Sequence, residues 1–150
     1  MKFLYRKALP KDTGECIVLR GNTRENAFSA AQLEAIGVTH ESWESGIERD
    51  KIPGYVCLVD EKIVGYCFGE KESGEILVLA VLPEYENLGI GKELLNKVVS
   101  DFKNLGHKYL FLGCSSDPKS RSYGFYRYLG WTSTGKLDRN QDEILELLLS

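Results

Sequence analysis

No stretch of this chain is long and apolar enough to cross a bilayer. Its longest apolar run, Ile76-Leu77-Val78-Leu79-Ala80-Val81-Leu82, has seven residues, against the ~20 that a membrane helix requires, so no membrane is expected as a partner. Histidine is almost missing. His40 and His107 are the two in the sequence, too few for a zinc site alongside scattered cysteines, and no metal is expected. The four cysteines, at positions 16, 57, 67 and 114, form no Cys-x-x-Cys pair. Three of them fall in strand-like apolar segments, which reads as buried free thiols in a reducing compartment. Basic residues are not in excess: 19 Lys and Arg face 22 Asp and Glu, a net charge of −3. That argues against general nucleic-acid binding, which would call for a basic face. The opening Met1-Lys2-Phe3-Leu4-Tyr5-Arg6-Lys7 places charge inside what would be the apolar part of a leader, and a cytoplasmic location is expected.

What is present suits one folded unit. A chain of 150 residues fits a single domain spanning 1–150, large enough to bury about 68–70% of its unfolded surface. Its 43% apolar and 27% charged content is ordinary for a globular protein, and no repeat, low-complexity stretch or linker interrupts it. Residues 2–8 alternate loosely and predict a first strand. Helices are expected after Lys11-Asp12-Thr13, over Ala27 to Ile36, and after Thr39-His40-Glu41-Ser42, whose Thr39 suits a helix cap. Strands near 54–60 and 62–70 flank a polar hairpin at Asp60-Glu61-Lys62. A strand follows at 75–82, then a long helix ended by Gly106, then a strand from Tyr109 to Cys114. Asp117-Pro118 reads as a helix start, a capping carboxylate before a first-turn proline. Gly130 ends that helix, and strands near 131–137 and 143–149 complete the chain. Early helices, hairpin strands and one strand–helix–strand crossover make a mixed α/β layer fold.

The informative stretch is residues 76–95. A seven-residue apolar run stopped by Pro83 reads as a strand buried on both faces. After Gly89 and Gly91, apolar residues recur at Ile90, Leu94, Leu95, Val98, Val99 and Phe102, the spacing of an amphipathic helix. Strand, glycine loop and helix N-terminus leave backbone N–H groups without helical partners, a setting suited to phosphate. It is not a P-loop, because Glu86 stands at the first glycine position and Glu93 follows Lys92. Nor is it a dinucleotide fingerprint, because Leu94 replaces the third glycine.

The stretch does resemble the acyl-CoA pyrophosphate loop of the GCN5-related N-acetyltransferase (GNAT) superfamily, Gln/Arg-x-x-Gly-x-Gly/Ala. Gly89 and Gly91 match it, with Val81-x-Pro83-x-Tyr85 as the lead-in. A second match, Gly124-Phe125-Tyr126-Arg127-Tyr128-Leu129-Gly130-Trp131, is similar to the family's Phe-Tyr-x-x-x-Gly-Phe segment. The resemblance covers residues 52–149 well and residues 1–51 by general pattern. It implies a mostly antiparallel central sheet of about seven strands with four to five helices. It also implies acetyl-CoA as co-substrate, and transfer of acetyl to a primary amine of a small molecule or peptide by direct attack in a ternary complex. Within it, Asn87, Leu88, Gly89, Ile90, Gly91 and Lys92 would cradle the pyrophosphate, and Leu79, Ala80 and Val81 would pair with pantetheine. Tyr126 would be the catalytic acid. Glu75, fourteen residues before Gly89, stands where histone-acetylating members carry their catalytic glutamate.

Chemistry explains the need for such groups. An alkylamine with a pKa near 10.4 is protonated at pH 7, and removing that proton costs about 4–5 kcal/mol. A base lowers this cost, and a hydroxyl donor stabilises the leaving thiolate. Simpler roles stand beside these: Glu75 as a solvated turn residue, and Tyr126 as core packing with Phe125, Tyr128 and Leu129. Two positions depart from the family pattern. Glu86 stands where Gln or Arg is usual; at ~6 Å and an effective dielectric of ~20 it would repel a phosphate charge by about 3 kcal/mol unless it turns to solvent. Lys119 stands seven residues before Tyr126 where asparagine is common, either meeting a CoA phosphate or lying solvated. Seven acids in residues 21–60 (Glu25, Glu34, Glu41, Glu44, Glu48, Asp50 and Asp60) against Arg24, Arg49 and Lys51 would either give the acceptor side an acidic mouth that steers cationic amines or form an ordinary solvated helix face. Trp43 and Tyr55 would line the acceptor pocket or, more simply, pack in the core. A non-catalytic acyl-CoA sensor, and a scaffold that has lost the cofactor through Glu86, stay open as alternatives. So does a homodimer.

Overall fold

The computed structural model describes residues 2–24 and 27–150; Glu25, one of the seven acids named above, lies outside them. Among the described residues, seven strands form two antiparallel sheets. The first has the order β1-β2-β3-β4, from β1 (Leu4–Lys7), β2 (Gly54–Val59), β3 (Lys62–Gly69) and β4 (Ile76–Val81). The second has the order β5-β7-β6, from β5 (Tyr109–Cys114), β6 (Thr132–Leu137) and β7 (Glu143–Leu148). Five α-helices join them among the described residues: α1 (Thr13–Arg20), α2 (Ala30–Ala35), α3 (His40–Glu48), α4 (Ile90–Asn104) and α5 (Arg121–Tyr128).

Local chemistry sets the ends of these elements. The β2–β3 hairpin turns through Asp60 and Glu61, both with positive φ, as the twist of a two-residue turn demands. Thr39 caps α3 by accepting the Ser42 N–H, and Ser42 Oγ accepts the Thr39 N–H in return. Asp117-Pro118 does not start α5, contrary to the expectation. Asp117 C=O accepts the Ser120 N–H and its Oδ1 accepts the Lys119 N–H, which closes a turn with proline at its second position. The helix starts three residues later, with Ser120 Oγ capping the Tyr123 N–H.

The core lies on both faces of β3. Tyr66 and Phe68 point to α3, where Trp43 meets both rings edge-on at centroid separations of 5.6 and 5.4 Å. On the other face, α4 lies so close that a Cβ at Gly65 would come within 3.2 Å of both Ile90 and Leu94. The helix turns Ile90, Leu94, Leu95, Val98 and Phe102 into this core, the stripe that the sequence spacing predicts. All four cysteines are buried and unpaired. Tyr55, half-buried, donates its hydroxyl to Asp101 at 2.8 Å.

β4 is not buried on both faces. Leu77 is 41% exposed, and Val78, Leu79 and Val81 are half-buried. The reason is topological. β4 has a full antiparallel ladder with β3, but beside β5 it makes a single parallel bridge, Glu75 to Phe111, with the Phe111 N–H donating to Gly74 C=O at 3.3 Å. Beyond that point the two sheets separate.

Candidate active site

The gap between β4 and β5 opens into a cavity of about 340 Å³. One wall is β4 itself. Leu82 donates its N–H to Val64 C=O at 2.9 Å, and the register continues as Ala80 opposite Tyr66 and Val78 opposite Phe68. Antiparallel ladders alternate, so the even-numbered residues bond to β3 while Leu79 and Val81 turn their backbone polar groups into the gap. An extended ligand with amide groups finds there the free edge of a strand. The opposite wall is Leu112, Gly113 and Cys114 of β5, with Phe125 and Tyr126 of α5.

At one end lies the glycine loop. Asn87 and Gly89 both take positive φ, +64° and +83°, and Gly89 is the N-cap of α4 without a side-chain cap. The Glu93 N–H is the first in the helix to find its partner, Gly89 C=O. The N–H groups of Ile90, Gly91 and Lys92 precede it in the first turn and have no intrahelical acceptor. Gly91 faces Phe125, whose ring a Cβ there would touch at 3.6 Å. These residues fit a diphosphate: oriented backbone donors, the positive end of a helix dipole and a lysine in the first turn. Asn87, Gly89, Ile90, Gly91 and Lys92 all line the cavity, as do Leu79, Ala80 and Val81; Leu88 points away and is 50% exposed.

Glu86 has a different setting from either one expected. It lines the cavity and does not turn to solvent. Its side chain is 12% exposed and lies between two arginines, Oε1 2.7 Å from Arg24 Nε and Oε2 3.3 Å from Arg121 Nε. Arg121 Nη1 also donates to Asn87 Oδ1 at 3.3 Å. Arg20, Arg24 and Arg121 line the cavity, whereas Lys119 sits in the exposed turn before α5 and does not. The sequence reading missed these arginines as site residues. The one available signal was Arg121, two residues past Lys119, at the head of the helix that carries Tyr126.

Tyr126 is held by its ring, edge-on to Phe125 at 5.1 Å and to Trp131 at 5.9 Å, and it lines the cavity. Burial, with the Cys67 and Cys114 thiols nearby, pushes its phenol well above the ordinary value against the pull of Arg20. The group stays protonated and can donate. Cys114 also lines the cavity; burial raises its thiol despite the neighbouring Arg127, the wrong direction for a nucleophile.

Glu75 is half-buried where β4 and β5 still touch, next to Ile76 of the cavity wall but not itself part of it. Burial first, then the charges of Glu70 and Asp138, raise its carboxyl above the usual value. The acidic mouth predicted from residues 21–60 does not form at the cavity: none of the described acids among them lines it. Glu34, Glu41, Glu48, Asp50 and Asp60 are exposed, and Asp50 pairs with Lys71. Charge counted along a segment takes no account of which way the helices carrying it face. Among the described residues, no three His, Cys, Asp or Glu side chains converge as a metal site.

A family model described as acetyltransferase (GNAT) family matches residues 21–131. No curated protein sequence matches the chain significantly. Among solved structures, the fold is similar to PaiA N-acetyltransferase from Thermoplasma acidophilum in complex with coenzyme A, with a TM-score of 0.82 and 20% identity over 99% of this chain and 100% of that one. It is also similar to the ribosomal-protein-S18-alanine N-acetyltransferase from Escherichia coli, with a TM-score of 0.74 and 14% identity over 99% and 95%. Ard1 from Thermoplasma volcanium gives a TM-score of 0.74 and 18% identity over 100% and 99%. Identities this low carry the fold and no more, whereas the family match spans well over half the chain. With its glycine loop, split sheet and α5 tyrosine in one cavity, the chain belongs to the acetyltransferase (GNAT) family.

Proposed function

We propose that this acetyltransferase moves acetyl from acetyl-CoA to a primary amine of a small molecule or peptide, by direct attack and without an acetyl-enzyme. The observation that carries the reading is the continuity of the cavity, which runs from the uncapped α4 N-terminus along the free edge of β4 to Tyr126. In this reading the first-turn N–H groups of α4 and Lys92 hold the diphosphate. The outward N–H groups of Leu79 and Val81 hold the pantetheine amides, and one of them polarises the thioester carbonyl.

The amine must first lose its proton. Glu75 is the proposed acceptor, through one water, since it directly precedes Ile76 of the cavity wall. Its raised pKa brings it closer to that task than an ordinary glutamate. The amine nitrogen then bonds to the acetyl carbon and the carbon–sulfur bond breaks. Tyr126 donates a hydrogen bond to the sulfur as charge builds on it. Because its phenol lies above the ordinary value of 10, full proton transfer to a thiol of pKa about 8.5 runs uphill. Tyr126 therefore stabilises the thiolate rather than surrendering its proton, and the second amine proton goes to solvent or to the thiolate. Buried, high-pKa Cys114 favours direct attack over a covalent route. A cytoplasmic location, where acetyl-CoA is supplied, accompanies this proposal.

Thermal unfolding with acetyl-CoA and with ATP as control tests it. A saturable rise in Tm of several degrees at 100 times Kd, equivalent to about 2.7 kcal/mol, is expected with acetyl-CoA and not with ATP. A screen of amines by thiol release follows. Stabilisation without turnover on any amine would favour an acyl-CoA sensor, and no stabilisation would overturn the reading.

A further inference from the structure

The family loop has Gln or Arg where this chain has Glu86, and a carboxylate there should weaken phosphate binding. The geometry points to the opposite: we infer that Glu86 is a positioning residue that holds Arg24 and Arg121 against the loop, so that two arginines from elsewhere in the chain meet the phosphates of CoA. The inference rests on the acetyl-CoA reading above.

Three observations carry it. The Glu86 carboxylate contacts both guanidinium groups through Nε, one with each oxygen. Its side chain is far less exposed than its partners, 12% against 59% for Arg24 and 45% for Arg121. A lone carboxylate so placed would be poorly solvated; between two cations it is satisfied. Arg24, Glu86, Asn87 and Arg121 all line the same end of the cavity as Gly89, Gly91 and Lys92.

The electrostatics follow by counting. Among the described residues at this end, Arg24, Arg121 and Lys92 bring three positive charges and Glu86 one negative. The two arginines come from separated parts of the chain, one after α1 and one at the head of α5. Glu86 sets one carboxylate oxygen against each of them and offsets their mutual repulsion. Arginine suits the task because its planar fork can meet a carboxylate and a phosphate together. Asn87 fixes the approach, since its positive-φ backbone presents Oδ1 to Arg121 Nη1.

Calorimetric titration of CoA into the wild-type protein, Glu86→Gln, Arg121→Ala, Arg24→Ala, the double variant Arg24→Ala/Arg121→Ala and the triple variant Glu86→Gln/Arg24→Ala/Arg121→Ala tests the inference, with the Tm of each free protein measured alongside. Each single change is expected to raise Kd about tenfold, and adding Glu86→Gln to the Arg24→Ala/Arg121→Ala background should cost no more than about twofold further, because Glu86 acts through the two arginines. The losses should shrink at high salt, which a purely structural defect would not show. Dephospho-CoA locates the contact: losses that persist assign it to the diphosphate, and losses that vanish assign it to the 3′-phosphate. Binding by Glu86→Gln as tight as wild type or tighter overturns the inference, as does full additivity. If wild-type protein fails to bind CoA, the acetyl-CoA reading itself falls.

Discussion

β3 and β4 are neighbours in one sheet, and the more apolar of the two is the less buried. β4 reads Ile-Leu-Val-Leu-Ala-Val without a polar residue, yet four of its six residues are exposed or half-buried. β3 carries two glycines, a lysine and a tyrosine, yet every residue after Lys62 is buried. β3 has strands on both sides, α3 over one face and α4 over the other, whereas β4 loses its partner where β5 diverges. Apolar side chains on a strand with an open edge serve a different purpose from those in a core. They line a dry slot whose backbone groups remain available to a ligand.

The sharpest way to break this comparison is truncation. Phe68→Ala on β3 removes a fully buried ring and is expected to cost about 3–5 kcal/mol, a fall in Tm of roughly ten degrees or more. Leu79→Ala on β4 should cost less than about 1.5 kcal/mol and instead weaken CoA binding. Urea unfolding and CoA titration on the same two variants decide the point, since equal destabilisation would make β4 an ordinary core strand.

Tyr126→Phe comes next. It keeps the ring and its packing on Phe125 and Trp131, so Tm should move by less than about 3 °C. Turnover should fall at least tenfold, about 1.4 kcal/mol of transition-state stabilisation. A large Tm change with turnover preserved would return the residue to the core.

Glu75→Gln is expected to lower turnover at least tenfold and to leave CoA affinity intact, because Glu75 is not itself part of the cavity wall. Its pH dependence carries a sign. The folded pKa is raised by burial, Glu70 and Asp138, so the folded state disfavours the ionised form. Above the ordinary value near 4.5, the wild-type carboxylate slightly destabilises the fold, and the Gln variant should be slightly more stable at pH 7. That gain should vanish as pH falls below about 4. Wild-type turnover should rise with pH through the raised pKa, and a flat profile in the acid range would remove Glu75 as the base.

Much of this protein is legible in order along the chain. Helix and strand positions followed from periodicity, Thr39 announced its helix, and Gly89 and Gly91 marked the loop. These are local matters, fixed by backbone freedom and by the alternation of apolar residues within a few positions. The α5 start was misread for an instructive reason. Asp117-Pro118 and Ser120 can each begin a helix, and the Asp117 side chain closed a turn instead.

What the sequence determined by itself was the element order, the long amphipathic helix and the two motifs that resemble the acetyltransferase family. Tertiary structure alone decided which faces of those elements see the cavity. It split the sheet between β4 and β5, which exposed an apolar strand. It turned the described acids of residues 21–60 away from the site, and it brought Arg24 and Arg121 to Glu86 across 62 positions of chain in one case and from the head of α5 in the other. The physical reason is range. Hydrogen-bonded turns and amphipathic stripes are written over spans of about three to seven residues. An ion pair between distant segments exists only once the core has fixed where those segments lie.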